Sequence, residues 1–299
     1  MRTIGFIGLG TMGRPMSRNL LKAGFELVVI KGHAADAVAE FRKAGAKVCD
    51  TAAEVARNSD CVLTCVPDSP DVEGVYLGKD GVLSGAQQGL VAIDFSTIAP
   101  DTARAVYEAA GKVGVSFLDA PVSGGETGAI AGTLSIMVGG DADAFEKSMT
   151  VLQAVGKSIT HIGPSGCGQY AKAANQIICT ALWEGIGEAL VLVTKAGADP
   201  AKVLQAVSAG SARGWILQER APNILKRDFT PGFRASLQHK DLRIALEAGK
   251  RLGVPLPATE VIADNYAALK KAGRWDWDTS AVVTIIEDAA GTRIEPSRS

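Results

Sequence analysis

Long apolar runs are missing from this 299-residue chain. No stretch of about 18 or more uninterrupted apolar residues occurs, which argues against a transmembrane helix. An excess of one charge is missing too. Lys and Arg number 31 against 32 Asp and Glu, a net charge of −1, so neither a basic nucleic-acid surface nor an acidic tail is expected. Histidine is scarce. His33, His161 and His239 lie far apart without metal-ligand spacing, and no metal site is expected. The five cysteines include no C-x-x-C. Cys61 and Cys65 would share one strand face about 13 Å apart, beyond disulfide reach. A reduced, cytoplasmic chain is the expectation. Met1-Arg2-Thr3 leads directly into Ile4-Gly5-Phe6-Ile7, without the apolar core and small-residue cleavage site of an export signal.

What is present is apolar mass and glycine. Apolar residues make up 47%, enough for a sizeable core, and glycine contributes 34 positions. The length suggests two domains. The first half alternates short apolar runs with helical patterns. Strands are expected at 4–8, 26–30, 46–49, 61–66, 90–95 and 116–120. Helices are expected at 13–23, 34–44, 52–58 and 100–112, and further edge strands at 133–138 and 158–162. Continuous apolar strands separated by helices predict a parallel sheet covered on both faces. After Gly163-Pro164-Ser165-Gly166 the character changes. Residues 168–196 read as one proline-free helix about 44 Å long, which Gly185 and Gly187 could bend. Asp199-Pro200 reads as a helix start, and helices follow at about 213–225, 236–252, 257–272 and 278–289. The predicted fold is an α/β Rossmann-type dinucleotide-binding domain over 1–163, then an all-α domain over 164–299 entered through the long helix. The second domain is expected to carry substrate binding and oligomerisation.

Gly8-Leu9-Gly10-Thr11-Met12-Gly13 is a G-x-G-x-x-G run with an apolar strand before it and a helix after it, the context that gives this pattern its meaning. Gly8 permits the tight turn, Gly10 lets the backbone approach a pyrophosphate, and Gly13 lets helix and strand pack closely. The phosphates would meet N–H groups at the helix N-terminus. In NAD enzymes the second strand ordinarily ends in an acidic residue that holds the ribose hydroxyls. Here it ends Ile30-Lys31-Gly32-His33. Lys31 puts a cation where a ribose phosphate needs one, with His33 as a possible second donor, so NADP is expected over NAD. Other phosphate loops fit less well. Gly156-Lys157-Ser158 resembles the end of a P-loop, but position 151 is Val. No G-x-S-x-G elbow of an α/β-hydrolase is present.

Two further clusters carry chemistry. Asp119-Ala120-Pro121-Val122-Ser123-Gly124-Gly125 follows a strand and offers a hydroxyl and close backbone N–H groups to a carboxylate. Gly168-Gln169-Tyr170-Ala171-Lys172-Ala173-Ala174-Asn175 opens the long helix, with Lys172 and Asn175 three apart on one face. A lysine on an apolar helix face can be desolvated, which lowers its pKa and suits proton transfer. His239-Lys240-Asp241-Leu242 opens a later helix and supplies a second cation. Trp275-Asp276-Trp277 reads as packing or interface.

Together these motifs resemble the β-hydroxyacid dehydrogenase family along nearly the whole chain. Thr133–Gly140 (TLSIMVGG) and Pro231–Leu237 (PGFRASL) are most similar to its tartronate semialdehyde reductase (2-hydroxy-3-oxopropionate reductase) branch; 3-hydroxyisobutyrate dehydrogenase is the other close branch. The resemblance implies Lys172 as catalytic acid/base. It implies Ser123, Gly124, Gly125 and Asn175 as substrate-orienting groups, and Lys240 beside substrate and nicotinamide. The glycine loop would hold the cofactor, flanked by Cys65-Val66-Pro67 and Ser96-Thr97. The departure is Ile30-Lys31-Gly32, which matches neither the Asn-Arg-Thr often seen in NADP users nor the Asp of NAD users. The activity implied is hydride transfer between a nicotinamide and a small β-hydroxy acid or its semialdehyde. Oxidation of a serine- or threonine-type β-hydroxy amino acid and reduction of succinic semialdehyde are alternatives. A dinucleotide-binding sensor is the non-enzymatic one, and such a sensor is expected to lack the Lys172 and Asn175 pair. A small carboxylate substrate and a homodimer or homotetramer are the expected partners, with no nucleic acid and no membrane.

Overall fold

Strands that are apolar on both sides need cover on both sides, and the first part of the chain is built that way. The computed structural model describes residues 1–32 and 34–295, so His33 lies outside the described residues. It divides the chain into one compact unit, Met1–Lys172, and a second from Ala173 onward.

The first unit holds a nine-stranded sheet: β1 (Thr3–Ile7), β2 (Glu26–Ile30), β3 (Lys47–Cys49), β4 (Cys61–Thr64), β5 (Val91–Asp94), β6 (Ser116–Asp119), β7 (Val122–Ser123), β8 (Leu134–Gly139) and β9 (Gly156–Gly163). The order is β3-β2-β1-β4-β5-β6-β8-β7, with β9 also paired to β8. Strands β1 to β6 run parallel in the doubly wound order whose direction reverses between β1 and β4. Successive side chains point to opposite faces. Ile4, Phe6, Val29, Leu63 and Ile93 therefore pack on one side with Met16, Leu20 and Phe41. Ile7, Val28, Val62 and Ala92 pack on the other with Val55, Tyr76, Val106 and Phe117.

The expected parallel sheet is mixed at its far edge. Strand β8 runs antiparallel to β6 and β7 and parallel to β9. The connection from β7 to β8 holds only the short helix Gly125–Ala131, too little chain for a parallel crossover. Helices Ser69–Leu77, Val82–Gly85, Gly125–Ala131 and Ala142–Val155 also form where the sequence pattern predicted none. The first of them starts in a capping box. Asp68 accepts from the Ser69 N–H at 2.7 Å, and Asp71 accepts from the Asp68 N–H at 3.0 Å.

The long helix spans Cys167–Lys195 without interruption at Gly185 or Gly187. A Cβ on Gly187 would meet Ile286 at 2.8 Å and Val283 at 3.0 Å, so that glycine serves close helix packing. Helices Pro200–Ser208, Pro222–Leu225, Ala235–Leu252, Pro257–Lys271 and Val283–Ala290 complete the second unit, with a π-helical turn at Ile216–Arg220 and a 3₁₀ turn at Thr279–Val282. The single helix expected at 213–225 is thus two pieces, because Pro222 has no N–H to continue the ladder and starts a new helix. Trp183, Leu190, Ile224, Leu242, Tyr266 and Val283 form the core. Trp277 stacks on Phe229 at 5.6 Å, a packing role.

One sequence argument needs correction. The absence of an uninterrupted apolar run does not exclude a spanning helix, because Cys167–Lys195 is long and apolar enough by length and composition to cross a membrane. In this fold it is partly buried, with Ile178 and Leu192 exposed. Trp183, Ile186, Leu190 and Val191 are buried in the second unit, and Gln169, Lys172, Gln176 and Glu184 are buried along it.

Candidate active site

The glycine loop sits where β1 gives way to the helix Gly13–Lys22. Gly8 has φ +101°, a left-handed value, and a Cβ there would overlap the Cys65 carbonyl oxygen. A Cβ on Gly13 would overlap the Gly8 carbonyl oxygen and press on the Phe6 ring at 2.8 Å. Gly10 differs, for a Cβ there would meet nothing within 4 Å. Gly8 and Gly13 are therefore required by the protein's own packing, while Gly10 opens the backbone to a visitor. Leu9, Gly10, Thr11 and Arg14 line a cleft of about 490 Å³. No side chain caps this helix at Met12, and no acidic residue lies in its first turn. The loop fits a dinucleotide pyrophosphate, which needs open backbone N–H groups; the cleft is also lined by Arg14 and Arg18 and, from the short helix Gly125–Ala131, by Glu126.

The neighbouring strand ends are bound into one rim. The Cys65 N–H donates to the Ile7 carbonyl at 3.0 Å, Phe95 N–H to Thr64 at 2.8 Å, and Ala120 N–H to Asp94 at 2.7 Å. The Val66 N–H donates to the Ser96 hydroxyl at 2.9 Å, joining the loop Cys65-Val66-Pro67 to Ser96-Thr97. Below them Asp94 Oδ1 accepts from Ser96 Oγ at 2.6 Å and Thr64 Oγ1 at 2.7 Å, and Thr64 meets the Tyr76 hydroxyl at 3.0 Å. Burial, with the Asp94 charge nearby, pushes the Tyr76 hydroxyl well above its ordinary pKa. In doubly wound sheets, ligands bind outside the carboxyl ends of the strands at the point where their order reverses. The rim lies there.

Ser123 ends the two-residue strand β7, opposite Ser135 of β8. Gly124 precedes and Gly125 begins the short helix that follows, and a Cβ on Gly125 would meet nothing within 4 Å. Four residues before Ser123, Asp119 accepts the Gly166 N–H at 2.7 Å and the Gln169 N–H at 3.1 Å. Burial pushes the Asp119 carboxyl up to about 6 against the lowering effect of those two donors. Gln169 also places its side chain across the rim, accepting the Ile98 N–H at 3.1 Å and donating to the Ser96 carbonyl at 3.0 Å. Lys172, one turn on, is buried at 7% exposure.

In the second unit Asn175 donates to Gln176 Oε1 at 2.8 Å, and Gln176 donates to Asp241 Oδ2 at 2.5 Å. Asp241 Oδ1 lies 3.1 Å from the Lys240 ammonium, with Asp241 buried and Lys240 nearly so. One network therefore brings Asn175 and Lys240 together. Beside it the His239 ring lies 5.2 Å from Trp275. Burial, and then the charges of Arg243 and Lys270, hold that imidazole below its ordinary pKa. Sequence reasoning missed Gln176 and Asp241 as carriers of this link and Gln169 and Asp119 as anchors of the helix start. All four lie inside or next to the motifs. Their partners, apart from the neighbouring residues Asn175 and Lys240, are dozens of positions away.

Lys31 has a partner that sequence reasoning did not name. Its ammonium pairs with Asp50, just past β3, at 2.8 Å, and both side chains are exposed. The Lys31 side chain holds the Asp50 carboxyl below the usual carboxylate range. The cation predicted from sequence is there, with an unpredicted anion beside it. Among the described residues no group of three or more His, Cys, Asp or Glu could hold a metal ion.

Comparison with known proteins agrees with this geometry. The family model described as the NAD binding domain of 6-phosphogluconate dehydrogenase matches residues 3–163. The one described as NAD-binding of NADP-dependent 3-hydroxyisobutyrate dehydrogenase matches residues 166–286. The chain is 41% identical to the 2-hydroxy-3-oxopropionate reductase of Escherichia coli, over 97% of this chain and 99% of that one. It is 40% identical to the NAD-dependent L-serine dehydrogenase of Pseudomonas aeruginosa, over 97% and 100%. The solved structure of Mycobacterium tuberculosis 3-hydroxyisobutyrate dehydrogenase with L-serine superposes with a TM-score of 0.88 at 35% identity, covering 96% of this chain and 99% of that one. With the glycine loop, the parallel rim and relatives matched along almost their whole length, the chain belongs to the β-hydroxyacid dehydrogenase family and is an NAD(P)-dependent oxidoreductase.

Proposed function

We propose that this enzyme moves hydride between the nicotinamide and the carbinol carbon of a small β-hydroxy acid, with 2-hydroxy-3-oxopropionate or the semialdehyde formed by oxidising 3-hydroxyisobutyrate as the preferred reducible partner. The observation that carries the reading is Lys172, a lysine buried at 7% exposure on a helix whose first turn is tied to the rim of the dinucleotide fold. The bound nicotinamide supplies the hydride chemistry. Lys172 handles the proton. As a neutral amine it takes the hydroxyl proton during oxidation, and as an ammonium it returns that proton during reduction. Ser123, Gly124 and Gly125 meet the substrate carboxylate with a hydroxyl and backbone N–H groups, and Asn175 and Lys240 orient it. Gly8 to Gly13, Cys65-Val66-Pro67 and Thr97 hold the cofactor, with Lys240 beside the nicotinamide. Residues 1–163 serve as the dinucleotide-binding domain and 164–299 as the substrate domain.

NADP is preferred over NAD in this reading, because Lys31 can meet a ribose phosphate and no carboxylate ends β2. An exposed ion pair such as Lys31–Asp50 holds by only about 0–1 kcal/mol, so a phosphate can compete for the lysine. The preference should lie near the lower end of about 10- to 100-fold. The five free cysteines favour a cytoplasmic setting. Ile178, Leu192 and Val261 are 61%, 68% and 63% exposed on the helical unit, which supports burial against a second copy in a homodimer or homotetramer.

A panel of small hydroxy acids and semialdehydes with both cofactors tests the substrate. Lys172→Ala tests the mechanism, with kcat expected to fall about 10²–10⁴-fold and cofactor affinity nearly kept. Near wild-type kcat in that variant would sink the acid/base assignment. A second reading, oxidation of L-serine or a similar β-hydroxy amino acid, is favoured by the L-serine dehydrogenase relative. A higher kcat/KM on L-serine than on any acid of the panel would select it.

A further inference from the structure

The start of the long helix is held more tightly than a helix terminus requires. Asp119 at the end of β6 accepts two of its backbone N–H groups, from Gly166 and Gln169. A Cβ on Gly168 would lie 2.5 Å from the Met137 carbonyl oxygen and 2.6 Å from that of Asp119. The helix backbone therefore rests directly on β6 and β8. The Gln169 side chain then reaches past the cap to a third place, the loop after β5. There it accepts the Ile98 N–H at 3.1 Å and donates to the Ser96 carbonyl at 3.0 Å. Gln169, Ile98 and Ser96 are all at most 2% exposed. A side-chain amide is suited to this task, since it presents one acceptor and two donors from a rigid plane.

The other face of that loop belongs to the rim. The Ser96 hydroxyl accepts the Val66 N–H and donates to Asp94, so the segment Gln169 grips is the one that fixes the Cys65-Val66-Pro67 turn. Lys172 is three residues beyond Gln169, on the same side of the helix. We infer that Gln169 is a positioning residue for Lys172: its amide locks the lysine-bearing turn to the Ser96–Ile98 loop, and so sets the lysine relative to the cofactor rim. This rests on the acid/base role proposed above for Lys172. Reacting groups misplaced by about 1 Å can lose on the order of 10²-fold in rate, so a partial loosening should show in kcat.

A double-mutant cycle tests it. Gln169→Met keeps the length and removes both hydrogen bonds. In the otherwise unmodified enzyme it should lower the single-turnover rate of hydride transfer about tenfold, with cofactor Kd within about twofold. In a Lys172→Ala background the same change should cost less than about twofold, because the group being positioned is gone. An equal loss in both backgrounds would mean that Gln169 acts on something other than Lys172, and would overturn the inference. So would a folded Gln169→Met enzyme with a lower Tm and an unchanged rate, which would make Gln169 a brace only. Where Gln169→Met does not fold, Gln169→Glu takes its place in the cycle. It keeps the acceptor for Ile98 and sets a carboxylate oxygen against the Ser96 carbonyl. Near wild-type turnover in Lys172→Ala alone would instead refute the acid/base role. That outcome is visible before Gln169 is touched.

Discussion

The two units hold their functional groups by different means. In the first, the backbone does it. Gly8, Gly13 and Gly168 sit where a side chain would strike a carbonyl oxygen, and the loops of the rim are joined mostly through main-chain groups. In the second, side chains link Asn175 and Lys240, Asn175 to Gln176 to Asp241 to Lys240, with one ion pair at the end. A site built on backbone contact is intolerant of added atoms. A site built on a buried polar chain is tolerant of shape and sensitive to any lost charge or donor.

Five substitutions put this contrast to work, in descending order of effect. Gly13→Ala should cost more than about 3 kcal/mol of stability and abolish cofactor binding, since its Cβ would overlap the Gly8 carbonyl oxygen. A fluorescence titration showing ordinary affinity would mean the loop is softer than it looks. Asp119 comes next. Its carboxyl is raised from 3.8 to about 6 in the folded chain, so the native state binds the extra proton. Stability from this group is therefore present at low pH and lost as pH rises through about 6. Relative to Asp119→Asn, the unmodified enzyme should gain about 2 kcal/mol between neutral pH and pH about 4. Parallel stability curves for the two proteins would contradict the raised value.

Ser123→Ala should raise KM for carboxylate substrates by the equivalent of about 1.5–3 kcal/mol, and change cofactor affinity little. An unchanged ratio of carboxylate to amide substrates would remove the anion site from Ser123. In the second unit Asp241→Asn keeps shape and removes charge. It should raise KM about tenfold, roughly 1.4 kcal/mol, with most of the fold's stability intact. A loss of Tm with KM unmoved would make the polar chain a structural brace, and erase the contrast drawn above. Asp50→Asn should have the smallest effect, a few-fold gain in preference for NADP as Lys31 loses its competitor. An unchanged preference would show that Lys31 does not meet the ribose phosphate, and a shift toward NAD that Asp50 does not compete for the lysine.

What could be read from sequence follows the same division. Strands β2 and β4, and the helix Pro100–Lys112, announce themselves because buried parallel strands are unbroken apolar runs and Pro100 marks a first turn. The glycine loop was legible because its spacing and its flanks agree. The helix Ser69–Leu77 was overlooked although Asp68 and Asp71 form its capping box, since a glycine and a proline blur its apolar pattern. The strand β7 is two residues long and has no period to detect. The grips on the helix start and the pairing of Lys31 with Asp50 are contacts between residues 19 to 73 positions apart. Composition and spacing carry no trace of such pairs, because either partner alone is an ordinary polar residue.

The long helix has a consequence for anyone who would edit this chain. It contains 29 residues, and each residue turns a helix by about 100°. Inserting a single residue between Gln169 and Lys172 would leave every hydrogen bond at the helix start in place and swing the lysine to another side. Inserting one between Lys172 and Asn175 would leave the lysine where it is and rotate everything downstream. Loops elsewhere absorb such changes by bulging, but a continuous helix transmits them whole. Chimeras with related dehydrogenases should therefore be joined ahead of Gly166, in the turn where the main chain leaves β9, so that the helix is inherited from one parent from end to end.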